Sequence, residues 1–182
     1  MERYEYYVKQ SYRNRCHVVT ANGVAKLVVP VTAKHGKVLI TDVRLDFTQK
    51  WLNNHWRTIQ SAYGKAPFFE HYSDDLHRVL FQKVSFLYEL NYMVLSLCLN
   101  WLKSDMPIKE TEFYSKSVSD DVLDLRSHLN PKKGGQCHEF YYPVMYNQVF
   151  GNTFVENLSV IDLIFCEGPG AAKIVRASSI RK

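Results

Sequence analysis

Short aromatic and β-branched runs predict a β-rich beginning to the chain. Residues 4–8 and 16–20 are such runs, Asn22-Gly23 is a hairpin signal, and residues 25–31 resume a strand after it. A turn at His35-Gly36 separates this region from two more short apolar runs at 38–40 and 43–45. The pattern therefore predicts a hairpin followed by short strands.

Helical periodicity takes over in the middle of the chain. The apolar residues between Phe47 and Tyr63 fall within one half of a helical wheel, and Gly64 follows as a C-cap. Ser73-Asp74-Asp75 resembles an N-cap and predicts a helix to about Phe81. Residues 86–103 are apolar almost all round, which predicts a helix buried at the centre of the fold.

The last third mixes both periods. It predicts a strand over 108–114, a helix over 122–128, a loop over 130–136 and a helix over 157–165. This order is typical of an α/β or α+β protein. We expect a single domain in which the β-rich part with its hairpin is followed by several helices packed on a mixed sheet.

Composition narrows the class of protein. A length of 182 residues indicates one domain, and 46% hydrophobic with 23% charged residues excludes intrinsic disorder. The net charge of +5 permits an anionic ligand, but the charge is spread along the chain, which disfavours a nucleic-acid binder. The four cysteines form no CxxC pair, and there is neither an apolar leader at the N-terminus nor a run long enough to cross a bilayer. We therefore expect a cytoplasmic protein without a membrane span.

A basic segment, Tyr12-Arg13-Asn14-Arg15, is the first candidate for chemistry. On a strand, Arg13 and Arg15 share one face while Tyr12 and Asn14 take the other. Two guanidinium groups on one face can grip a phosphate or a carboxylate. Salt bridges on a solvated edge remain the alternative.

Two helices carry further candidates. His55 falls inside the apolar arc of its helix, so it either lines a pocket or is a hydrogen-bonded core histidine. Asn157 and Ser159 precede or begin the last predicted helix and Asp162 lies one turn in, where they either cap the helix or bind an anion. The basic loop over 130–135 either closes over an anionic substrate or is an ordinary solvated loop.

Motifs for metals and cofactors are missing from the sequence. There is no HExxH, GxSxG, GxGxxG or P-loop spacing, and Cys137-His138 has no zinc-type partner pair. We therefore predict no metal site, and the sequence names no cofactor.

Several blocks, taken in order, resemble the WbqC-like family in the form common in Bacteroidetes. These blocks are residues 9–16, 22–23, 27–31, 40–45, 50–51, 55–56, 61–63, 66–69, 146–150, 157–165 and 168–169. The similarity covers residues 7–172. Members of this family usually begin with a further strand and helix, so the resemblance implies one WbqC-like domain over 1–182 that lacks this unit.

The resemblance implies a transferase of surface polysaccharide (O-antigen) precursor biosynthesis. It would act on an amino sugar or a nucleotide sugar by acyl, aminoacyl or nucleotidyl transfer. The expected partner is a small anionic substrate, namely a nucleotide sugar or a phosphorylated metabolite. The positions that match the family blocks give the candidate site: His55, Asp162 and Asp42 as catalytic groups, and Arg13, Asn14, Arg15, Asn157 and Ser159 as substrate-binding groups. The alternative is a non-catalytic small-ligand-binding or scaffolding protein of the same pathway. An exposed edge strand would also favour a homodimer.

Overall fold

An antiparallel hairpin opens the fold in the computed structural model, which describes residues 1–32, 36–119, 122–126 and 141–179. Strand β1 (Arg15–Thr20) pairs with β2 (Gly23–Val28), and Thr20 lies opposite Gly23. Gly23 has a φ of 95°, a left-handed conformation that glycine adopts without steric cost. The hairpin predicted from Asn22-Gly23 is confirmed.

The remaining strands are short. β3 (Val31–Thr32) pairs antiparallel with β4 (Arg44–Leu45), so the described sheets are two separate antiparallel pairs. The α and β mixture that the sequence predicts is confirmed, and the antiparallel pairing identifies its α+β form. Strands over 4–8 and 108–114 were wrong predictions, because the first segment makes one bridge, from Tyr6 to Leu39, and the second contains no strand.

Two of the predicted helices are confirmed with small shifts. α1 spans Trp51–Tyr63 and α3 spans Leu87–Trp101. α3 contributes buried residues to the core, but the expected burial at the centre of the fold is incomplete, since Tyr92 and Leu95 are 37% and 39% exposed. Its N-terminus is held by the Glu89 carboxylate, which accepts hydrogen bonds from the backbone N–H groups of Ser85 and Phe86 at 3.3 Å.

Tertiary packing decides where the other helices begin. α2 spans Phe69–Leu80, so Ser73 lies inside the helix and the predicted N-cap is wrong. Phe69, Ser73 and Leu76 form one buried face, and this burial outweighs the capping preference of Ser73. α4 (Val160–Glu167) starts after Asn157, which has a left-handed φ of 60°, and α5 (Ala171–Ala177) was not predicted.

Two predictions in the last third fall wholly or partly outside the described residues. The helix over 122–128 is absent from the part that is described, 122–126, and the loop over 130–136 lies outside. In the described part of the chain, no helix has the length and apolar character needed to cross a bilayer.

Two apolar clusters form the core. The first surrounds Tyr63 and Phe165, whose ring centroids lie 5.3 Å apart, and receives residues from β1, β2 and all five helices. The second surrounds Val43 and Leu87 below the β3–β4 pair. Leu80 and Val94 pack against both clusters, so α2 and α3 form the boundary between them.

The glycine that ends α4 tests this packing. Gly168 has a φ of 52°, and a Cβ there would lie 2.4–2.7 Å from ring atoms of Phe68. We expect Gly168→Ala to lower the free energy of unfolding by about 1–3 kcal/mol, through backbone strain and overpacking. Gly170→Ala is the matched control, because its Cβ would meet nothing closer than 3.8 Å. Urea denaturation of both variants measures the difference, and equal stabilities would contradict the expectation.

Candidate functional site

A cavity of about 190 Å³ lies at the boundary between the two apolar clusters. Its apolar wall includes Leu27 and Ile161 from the first cluster, Trp51 and Leu90 from the second, and Leu80 from both borders. Among the described residues it also collects five of the eight candidates, namely Arg13, Asn14, Arg15, His55 and Ser159. Groups that are far apart in sequence thus meet around one space.

Three buried polar atoms on the cavity wall have no hydrogen-bond partner in the described structure. They are Asn14 Oδ1, Arg15 Nε and Trp51 Nε1. A buried polar atom left unpaired costs about 1–3 kcal/mol, and most such atoms in proteins are paired. Two unpaired donors and one unpaired acceptor thus belong to residues that line one cavity.

The basic segment precedes β1 rather than lying within it. β1 begins at Arg15, so the expected alternation of faces does not hold, and Tyr12, Arg13, Asn14 and Arg15 all line the cavity. Asn14 is 7% exposed, and its Nδ2 donates to the carbonyl of Val29 at 2.9 Å while its own carbonyl accepts from the Val29 N–H at 2.8 Å. This pairing leaves Oδ1 as the free end of the side chain.

Arg13 is already paired. Its Nε donates to Glu5 Oε1 at 2.8 Å, and its Nη2 donates to Glu5 Oε2. Both side chains are 19% exposed, so this bidentate ion pair is largely removed from water. The salt-bridge alternative for the basic segment holds for Arg13, whereas Arg15 has no ion pair with any described residue. Sequence reasoning missed Glu5, since nothing in its local pattern marks the contact.

His55 is half-buried on α1 and lies edge-on to Trp51, with ring centroids 5.3 Å apart. Burial lowers the pKa of His55 below 6.5, and its contact with the Val28 backbone opposes this in part. The imidazole is therefore neutral at pH 7, and its unprotonated ring nitrogen can accept a proton. Trp51 was missed as a site residue, although its position one helical turn before His55 places both on one face.

Ser159 joins the start of α4 to β1. Its backbone N–H donates to the carbonyl of His17 at 2.7 Å, and its side chain hydrogen-bonds the Cys16 thiol. Burial raises the pKa of Cys16 to about 11, although the Ser159 contact works in the other direction. The thiol is protonated at neutral pH, so Cys16 offers no thiolate nucleophile to the cavity it lines.

Three candidates lie elsewhere. Asp42 is exposed at the end of a short 3₁₀ helix (Ile40–Asp42). Asn157 lines a second cavity of about 390 Å³, which Ser159 also borders, and its Oδ1 accepts a hydrogen bond from the Tyr141 hydroxyl.

Asp162 is fully buried in α4 and hydrogen-bonds residues of the loop over 146–155. Its Oδ2 accepts hydrogen bonds from the Tyr146 hydroxyl at 2.6 Å and from Gln148 Nε2 at 3.2 Å. Gln148 in turn bonds the backbone of Val155 in both directions, at 2.9 and 2.8 Å. Burial, together with the Asp162 carboxylate, raises the pKa of Tyr146. Asp162 thus holds the loop over 146–155 in place.

The cavity has a group suited to bind an anion, the Arg15 guanidinium, and a group that can accept a proton, the His55 imidazole. Its described lining includes the unpaired Arg15 guanidinium, the unpaired Asn14 Oδ1 and the neutral imidazole of His55, among side chains that are mostly apolar. No group of three or more His, Cys, Asp and Glu residues in the described ranges is placed to hold a metal ion.

Comparison with models of known protein families identifies the family of this chain. A model of the WbqC-like protein family matches residues 3–136. The chain belongs to the WbqC-like protein family. WbqC-like proteins are associated with polysaccharide biosynthesis gene clusters in general. The match includes Arg13, Asn14, Arg15, Asp42 and His55.

No curated protein and no solved structure matches this WbqC-like chain.

The buried histidine makes the stability of this WbqC-like protein depend on pH. Below about pH 6.5 the unfolded chain binds a proton at His55 that the folded chain resists, so the free energy of unfolding falls as pH decreases. The same holds for His17, whose pKa is also lowered by burial. We expect His55→Gln to reduce the stability loss between about pH 7.5 and about pH 5.5, measured by urea denaturation. His71→Gln, on the exposed side of α2, should leave the wild-type loss unchanged. An undiminished loss in His55→Gln would refute this account.

The Asp162–Tyr146 hydrogen bond in this WbqC-like protein is testable by a double-mutant cycle. Asp162→Ala and Tyr146→Phe should couple by about 1–3 kcal/mol in unfolding free energy, because the first removes the acceptor and the second the donor of the same buried bond. Tyr92→Phe, at an exposed site on α3, should add to Asp162→Ala without coupling. Additive effects of Tyr146→Phe would show that the bond does not hold the loop.

Proposed function

We propose that this protein is a transferase of surface polysaccharide (O-antigen) precursor biosynthesis. Its substrate is an amino sugar or a nucleotide sugar, and the transfer is of acyl, aminoacyl or nucleotidyl type. Membership in the WbqC-like family supports the pathway. The observation that carries the proposal is the cavity lined by residues 12–16 and Trp51, where three buried polar atoms have no partner among the described residues.

The proposed roles follow from the state of each group. The Arg15 guanidinium, unpaired among described residues, binds an anionic group of the substrate, and Asn14 Oδ1 accepts a hydrogen bond from a neighbouring N–H or O–H of the substrate. His55 is the general base, because a neutral imidazole can take the proton that an attacking hydroxyl or amine loses. Ser159 closes one side of the cavity and borders the second cavity, where Asn157 lies.

The other two candidate catalytic groups, both carboxylates, have weaker support. Asp42 is exposed and Asp162 is committed to the loop over 146–155, and neither lines the cavity. In this proposal His55 acts without an orienting carboxylate, and its contacts with Trp51 and the Val28 backbone fix the ring instead.

A specific observation favours the second candidate function, a non-catalytic small-ligand-binding or scaffolding protein of the same pathway. The described lining of the cavity contains no carboxylate, and its only described thiol is protonated at neutral pH. A binding protein needs the anion-binding groups but no nucleophile and base pair. Both functions therefore predict ligand binding, and only the transferase predicts turnover.

Thermal stabilisation tests the ligand-binding part of the proposal. The purified chain is heated with uridine monophosphate, a uridine-diphosphate amino sugar, the free amino sugar, acetyl coenzyme A and coenzyme A. A ligand of the folded state at a hundred-fold excess over its dissociation constant stabilises by about 2.7 kcal/mol. We expect at least one ligand to stabilise the chain, and Arg15→Gln to abolish the effect. Arg57→Gln, exposed on α1, is the matched control and should keep it.

Product analysis separates the two functions. Mass spectrometry of the sugar after incubation with donor and protein reports transfer directly. Transfer that His55→Gln lowers by about 10²-fold or more supports the transferase with His55 as base. Stabilisation without any transferred group would favour the binding protein. Stabilisation that survives Arg15→Gln would overturn the assignment of the site.

A further inference from the structure

The cavity carries a single uncompensated positive charge among its described residues. Its charged or titratable basic groups are Arg13, Arg15 and His55. Glu5 neutralises Arg13 through two hydrogen bonds, and the imidazole of His55 is uncharged at pH 7. Arg15 is thus the one cation left for a ligand, and its Nε is buried.

We infer that the cavity binds a small, singly charged carboxylate rather than a phosphate or pyrophosphate, and that Glu5 sets this preference by neutralising Arg13. The inference rests on the proposed function and deepens it, because it favours the acyl or sugar-acid end of a transfer over a nucleotidyl group. Glu5 is then a specificity-determining residue outside the candidate set.

Charge balance is the first argument. A phosphate monoester carries about −1.5 to −2 at pH 7, so beside one guanidinium it would leave an excess negative charge. The walls are largely apolar, with Leu76, Leu80 and Val94 among them, and an unpaired charge in such surroundings is costly. A carboxylate carries one charge, which the planar Arg15 guanidinium can bind through two parallel hydrogen bonds.

Size and the remaining polar atoms complete the argument. The volume of about 190 Å³ is below the roughly 300–1,000 Å³ of pockets for drug-sized ligands, so the cavity holds one small group. Asn14 Oδ1 is a buried acceptor to which no described residue donates. The ligand it fits therefore has an N–H or O–H next to the carboxylate, as in an N-acylamino acid or a sugar acid.

Calorimetric titration of the full wild-type chain tests the charge preference. The probes are N-acetylglycine, glucuronate, propionate, inorganic phosphate and pyrophosphate, at one ionic strength. We expect N-acetylglycine or glucuronate to bind about tenfold or more tighter than phosphate and pyrophosphate. Propionate should bind more weakly than N-acetylglycine, because it has no donor for Asn14. The comparison of N-acetylglycine with glucuronate distinguishes an acyl source from a sugar-acid source.

Glu5→Gln tests the cause of the preference. An amide cannot neutralise Arg13, so the freed guanidinium should raise phosphate affinity about tenfold or more. Asp75→Asn removes the exposed Asp75–Arg78 ion pair and is the control, with wild-type affinities expected. The double variant Glu5→Gln/Arg13→Gln restores the wild-type charge, and its preference should return to carboxylate. Circular dichroism establishes that each variant is folded.

Several outcomes overturn the inference. Wild-type protein that binds phosphate or pyrophosphate more tightly than every carboxylate contradicts it, and so does a chain that binds none of the carboxylates. An unchanged phosphate affinity in folded Glu5→Gln contradicts the role of Glu5. Failure of the proposed function looks different, because carboxylate binding without sugar modification would leave the inference standing and remove the transferase. Sugar modification without carboxylate binding would support the transferase and contradict the inference.

Discussion

The attachment of residues 13 and 14 to their neighbours is the constraint on which the cavity depends. The carbonyl and side-chain amide of Asn14 pair with Val29 at 2.8 and 2.9 Å, and the carbonyl of Arg13 accepts from Asn91 Nδ2 at 2.8 Å. These bonds tie the segment to the end of the hairpin on one side and to α3 on the other. Because the segment is fixed at the boundary of the two apolar clusters, its polar side chains are buried where apolar packing alone would leave no partners. The position of the hairpin thus determines where unpaired donors and acceptors gather.

Local sequence signals predict the elements that need only local information. The Asn22-Gly23 turn and the apolar stripe of α1 depend on φ preference and helical period, so the hairpin and α1 were predictable. The start of α2 was not, because the burial of Phe69 against Phe165, with ring centroids 5.1 Å apart, is a contact between distant residues. The site divides in the same way. Residue type and helix or strand face suggested Arg15 and His55. Glu5 was not predictable, because only the fold brings it to Arg13. The role of Asp162 was ambiguous, because the local sequence is the same whether a buried carboxylate anchors a loop or binds a substrate.

The part of the chain beyond the family match contributes to the site indirectly. Asp162 holds the loop over 146–155 through Tyr146 and Gln148, and α4 begins two residues before it. Ser159 precedes that helix, borders both cavities and is tied to β1 through the carbonyl of His17. A change at Asp162 would therefore reach the cavity through the position of Ser159. Asp162 lies in the block 157–165, which resembles the family, and it can affect the cavity in this way although it does not line it.

The protonation of His55 depends on its surroundings and on the ligand. Without a ligand, burial favours the neutral imidazole. A carboxylate bound in the same cavity would favour protonation of His55 relative to the empty cavity. The base would then become a better proton acceptor when the anionic group is in place and a poorer one when the cavity is empty. The ligand itself would then supply a carboxylate to the cavity, which neither Asp42 nor Asp162 lines.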